Sequence, residues 1–135
     1  MQTILHYLKP FPIRLGITLT YTITLFVILV QPAAQPVIPT GIPLAPPSIE
    51  RELFFSTLHI IGFGLLTTLW FWAFDAILPT TQAIISAALI ALAIGFLTEY
   101  LQTLVPDRGF QVIDLGANMI GISIAAWVMH RLKHR

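Results

Sequence analysis

The chain contains no cysteine. That excludes a disulfide framework, a thiolate nucleophile and a cysteine metal site. Charge is scarce too. Asp, Glu, Lys and Arg make up 10% of the 135 residues, where an ordinary soluble domain carries about 25%. The formal net charge is +1, and no basic patch reaches the size that nucleic-acid binding needs. Runs of about ten residues that alternate polar and apolar are missing, so the chain does not read as a membrane β-barrel. No serine or cysteine motif supports covalent catalysis.

What fills the chain is apolar. Hydrophobic residues make up 56% of it, and the mean hydropathy is +0.85. A soluble fold of this length leaves too much surface exposed to hide that many apolar side chains. The sequence therefore reads as one integral membrane domain spanning 1–135. Four apolar segments stand out, roughly 13–30, 53–74, 83–104 and 114–130. A helix rises about 1.5 Å per residue, so about 20 residues cross a hydrocarbon core of about 30 Å. The middle two suffice outright. The fourth is short and is expected to borrow residues from Gln111 to Asp114. All four are expected to be helices, because non-helical backbone facing lipid leaves peptide groups unsatisfied. The expected fold is an all-α membrane four-helix bundle.

The first segment exceeds a usual signal-peptide core, and Pro32 sits badly where a cleavage site wants a small residue, so a span is expected there. Between the first two segments, residues 31–50 hold Pro32, Pro36, Pro39, Pro43, Pro46 and Pro47. Proline fixes φ and removes a donor, which makes this an extended, semi-rigid loop. A spacer over the bundle is the simpler reading, and a lid over a site the functional one. Residues 1–11 read as a short interfacial amphipathic helix.

With four spans both termini share one side. Lys9, Arg14, Arg131, Lys133 and Arg135 lie there, against Arg51 and Arg108 opposite. The bias predicts cytoplasmic termini. His6, His130 and His134 fall on the same side and read as solvated or headgroup-facing. Trp70, Trp72 and Trp127 fall near the inner helix ends, as an aromatic belt does.

The remaining polar residues concentrate at the other end. Glu99 lies about 9 Å below the end of the third segment, His59 about 9 Å into the second and Asn118 about 6 Å into the fourth. Glu99 and Gln102 are i and i+3 and share a face. Asp114, Asn118 and Gly121 form a second stripe. A charged group inside a span is costly unless it faces the bundle. Arg108 follows Pro106 in the connecting loop, and its planar fork suits phosphate or carboxylate. An ion pair with Asp107 or Asp114 is the structural alternative. For Glu99 the structural alternative is a hydrogen bond to Gln102 or Asn118 that locks helix packing. Ala87 with Ala91, Ala117 with Gly121 and Gly121 with Ala125 are small-x-x-x-small pairs that let helices approach. His59, Glu99 and Asp114 have the ligand types for a metal. They lack diagnostic short-range spacing, so no metal and no cofactor is expected.

The stretch EYLQTLVPDRGFQVIDLGANMIG, from Glu99 to Gly121, resembles the VanZ-like membrane proteins. Their pattern has E-x-x-Q, then P-x-R, then D-x-x-x-N-x-x-G. LHIIGFGLL, containing His59, resembles the family's histidine motif. The family usually has lysine three residues before this histidine and often a tyrosine after it. Here those positions are Ser56 and Phe63. The resemblance covers residues 53–125. It implies a bacterial cell-envelope role related to glycopeptide resistance, and it supplies no reaction. The expectation is a binding pocket near the outer leaflet of the bacterial cytoplasmic membrane, formed by His59, Glu99, Gln102, Arg108, Asp114 and Asn118. Its ligand would be an anionic or lipid-linked envelope precursor, or a glycopeptide, among membrane lipids. Binding without catalysis is favoured, and a hydrolase using these groups as acid and base stays open. The rival expectation is a non-enzymatic accessory subunit of a larger respiratory or photosynthetic membrane complex.

Overall fold

The computed structural model describes residues 10–31, 49–106 and 108–133, with Arg51 described in its backbone alone. The expected interfacial helix at 1–11 and the proline loop at 31–50 lie almost wholly outside the described residues, as do His6, His134 and Asp107.

Among the described residues there are four helices and no strand. These are α1 (Phe11–Val30), α2 (Ile49–Phe74), α3 (Thr80–Gln102) and α4 (Val112–Lys133). Each is long and apolar enough to cross a membrane. The protein is an all-α, multi-pass membrane four-helix bundle. Helix starts follow local chemistry. Pro10 precedes α1 and Pro79 precedes α3, where a missing N–H costs nothing. The fourth helix gains residues at both ends relative to its apolar run. Asp114 in its first turn and His130, Arg131 and Lys133 in its last complement the helix dipole.

The chain runs up and down. At the end near the termini, Arg14 of α1 donates to the Trp72 carbonyl of α2 at 3.0 Å. There Lys133 of α4 also pairs with Asp75 of the α2–α3 turn at 2.8 Å. Helices α2, α3 and α4 pack against one another, and α1 lies against α2 and α3. The apolar core is built from Phe63, Leu66, Phe71, Ala87, Ala91 and Ile122, together with residues toward the termini such as Met129.

The small residues act at the α2–α4 crossing. A Cβ placed on Gly121 would run into the carbonyl oxygen of Ile60, and would stand 3.0 Å from the Gly64 nitrogen. The two backbones therefore meet there, and only glycine fits on α4. Gly64 is the other half of this contact, a position that the small-residue spacing did not single out.

Helix α1 is peripheral, and Thr18 is its one buried residue. Side-chain donors hold it to α2 carbonyls. Thr18 Oγ1 reaches Leu69 O at 3.1 Å, and Tyr21 OH reaches Gly62 O at 3.0 Å.

The aromatic belt needs correcting at one position. Trp70 is buried against Phe74, with ring centroids 5.3 Å apart. Its Nε1 has no hydrogen-bond partner, so it is a core residue. Trp72 and Trp127 are exposed and lie under Arg14 and Arg131, at 5.1 and 5.6 Å.

Candidate functional site: a buried His–carboxylate cluster

The end of the bundle away from the termini is polar inside. His59, Glu99, Gln102, Asp114 and Asn118 are all buried there, and Arg108 is half-buried in the loop after α3. Phe63 is the core residue that meets this layer. Its ring is stacked on the His59 imidazole, with planes 10° apart and centroids 6.3 Å apart.

His59 is the centre. Its Nδ1 stands 2.8 Å from Asn118 Oδ1, and its Nε2 stands 3.7 Å from Asp114 Oδ2. An amide oxygen only accepts, so Nδ1 carries the proton and Nε2 faces the carboxylate. Asp114 and Asn118 are one turn apart on α4, so a single helix face supplies both neighbours of the ring.

Glu99 is fully buried on α3. Its Oε2 accepts from the backbone N–H of Gln111, just before α4, at 3.1 Å. Helix starts leave backbone N–H groups without intrahelical partners, which suits a carboxylate. Its Oε1 has no hydrogen-bond partner. Neither does Asn118 Nδ2, whose neighbour Gly95 would carry a Cβ only 3.3 Å away. One ligand atom each from His59, Glu99 and Asp114 lie within 4.8 Å of one another.

Gln102 and Arg108 play a different part. Gln102 shares a helix face with Glu99 but does not bond to it. Its Nε2 donates to the Leu29 carbonyl of α1 at 3.0 Å, and Arg108 NH2 donates to the same oxygen at 3.3 Å. The expected alternative for Glu99, a bond to Gln102 or Asn118, is therefore not what holds it. Asp114 stands nearest His59, at 3.7 Å, rather than against Arg108. Among the described residues no carboxylate lies in ion-pair contact with the Arg108 guanidinium.

Two participants were missed by sequence reasoning. The carbonyl of Leu29 and the N–H of Gln111 are backbone groups, so no side-chain pattern marks them. An open groove among the described residues also lies elsewhere, on α1 along Ile13, Gly16, Ile17 and Thr20. No protein-family model matches this chain, and no curated protein or solved structure is similar to it.

Proposed function

We propose that this is a VanZ-like protein of the bacterial cytoplasmic membrane. In this reading its polar end, near the outer leaflet, binds the anionic headgroup of a lipid-linked envelope component. The single observation that carries the reading is Arg108. Its guanidinium sits half-buried at the mouth of the cluster, holds one bond to Leu29 and lies against no described carboxylate. A guanidinium has five donors in a fixed fork, so most of its capacity is open to a phosphate or carboxylate from the headgroup region. Glycopeptide binding is the second form of the same chemistry, through the ligand's carboxylate.

The test is native mass spectrometry of the purified protein with a polyprenyl diphosphate or teicoplanin. Arg108→Ala is expected to lower retained ligand at least tenfold. Combining it with Glu99→Gln is expected to remove any teicoplanin tolerance that expression of the wild-type chain confers. Unchanged binding and phenotype in a folded double variant would overturn the reading.

One feature favours a second reading, an accessory subunit of a larger membrane complex. Gly16, Thr20 and Thr24 are exposed and recur every four residues along the groove on α1. Nothing lies within 4 Å of a Cβ built on Gly16. Small residues at this spacing let a foreign helix approach closely. Stoichiometric polypeptides that stay with the wild-type chain in mild detergent, and leave on Gly16→Leu, would decide for this reading.

A further inference from the structure

We propose that His59, Glu99 and Asp114 hold a divalent first-row transition-metal ion. Three independent features point to it.

The first is geometry. The three ligand atoms come from α2, α3 and α4 and lie within 4.8 Å of one another. A point therefore exists within about 2.8 Å of all three, and imidazole or carboxylate ligands stand about 2.0–2.2 Å from such an ion. Small side-chain rotations close the gap.

The second is the histidine. Asn118 Oδ1 accepts from the Nδ1–H at 2.8 Å, so Nε2 is the ring nitrogen left to face Asp114 Oδ2. At 3.7 Å that contact is too long for a hydrogen bond. That spacing leaves a ring nitrogen and a carboxylate oxygen side by side, both able to ligate one cation. A ligating histidine whose other N–H is held by a carbonyl is the usual outer-shell arrangement at metal sites.

The third is the orphaned oxygen. Glu99 has 0% exposure. Its Oε2 is held by the Gln111 N–H, and its Oε1 has no partner. One oxygen anchored and one without a partner, on a carboxylate that brings an oxygen within 4.8 Å of the His59 and Asp114 ligand atoms, is the posture of a monodentate ligand. Two carboxylates and one dication also sum to zero charge, which suits a site buried within membrane spans.

The donor set selects the ion. An imidazole suits zinc, iron and their neighbours, while magnesium and calcium favour oxygen alone. Three protein ligands leave coordination positions open. Those positions suit water or, if the headgroup reading above holds, a phosphate oxygen. The ion site itself does not depend on that reading.

The test uses the full chain in detergent, stripped with a chelator and titrated with Zn²⁺ or Co²⁺. Because His6, His130 and His134 are potential adventitious ligands, a background with all three changed to Gln is used throughout. We expect one ion per chain, with a Co²⁺ absorption spectrum of mixed nitrogen and oxygen ligation. His59→Gln, Glu99→Gln and Asp114→Asn are each expected to weaken binding at least 100-fold. Asn118→Ala, which leaves all three ligands, is expected to weaken it about 10- to 100-fold. Absence of stoichiometric binding in the three-histidine background would overturn the proposal. So would binding that survives all three ligand substitutions. If those variants fail to fold, one-to-one binding with that spectrum in the background chain still upholds it. Arg108→Ala should leave the ion bound, so loss of lipid binding and loss of metal binding remain separate results.

Discussion

His59 Nδ1 and Asn118 Oδ1 meet at 2.8 Å across the interface of the second and fourth helices. They are 59 residues apart in sequence. This bond sets the tautomer of the ring and so the chemical character of the whole cluster. Everything else at the polar end is arranged around the nitrogen that the bond leaves free.

Replacing Asn118 with Leu strands the buried Nδ1–H. A buried donor without a partner costs about 1–3 kcal/mol, and the leucine is also larger than the space beside Gly95. Thermal unfolding in detergent should fall accordingly. Asn118→Asp keeps the acceptor and should be milder in its effect on the His59 contact, read from the imidazole nitrogen chemical shifts.

Gly121→Ala places a methyl against the Ile60 carbonyl. The atom it meets is backbone, so the helices must separate. Overpacking of this kind costs about 1–3 kcal/mol. Gly116→Ala, on the same helix with nothing within 4 Å, should be neutral or stabilising by up to about 1 kcal/mol. Equal effects of the two substitutions would contradict the close crossing.

Tyr21→Phe removes the bond to the Gly62 carbonyl. Hydrogen bonds between membrane helices average about 0.6 kcal/mol, so the loss of stability should be of that order. The first helix should loosen before the other three, because it buries little else. Cross-linking between cysteines placed at Leu25 and Gly62, where a Cβ built on the glycine stands 3.3 Å from the leucine side chain, should fall in the Tyr21→Phe background. An unchanged cross-linking yield would show that packing alone holds this helix.

The absence of native cysteine makes orientation easy to measure. A single cysteine at Gln111, which is exposed, should react with a membrane-impermeant maleimide in intact cells. One at Arg131, exposed at the other end, should react only after lysis. The reverse pattern would invert the topology and place the cluster on the cytoplasmic side.

The expected spans and the observed helices agree in number and place, because helical backbone in lipid follows from hydropathy and length alone. All four starts moved outward, and the third helix ends at Gln102, short of the expected 104. Val112 and Ile113 join the fourth helix before Asp114, and Glu50 and Glu52 sit in the first turn of the second. Polar residues dilute hydropathy without stopping a helix, so boundaries are less legible than spans.

For the site, helix rise put His59, Glu99, Asp114 and Asn118 at one end, and periodicity gave a shared face to Glu99 with Gln102 and to Asp114 with Asn118. It could not assign partners. Glu99 and Gln102 share a face, yet one turns to the start of α4 and the other to the end of α1. Which neighbour a side chain meets depends on how helices cross, and that is set by close contacts such as Gly121 against Ile60. The sequence by itself determined a four-span membrane protein with its polar groups gathered at one end. Only the tertiary structure decided that three of them converge, because their convergence is a distance between helices, and no spacing along the chain encodes it.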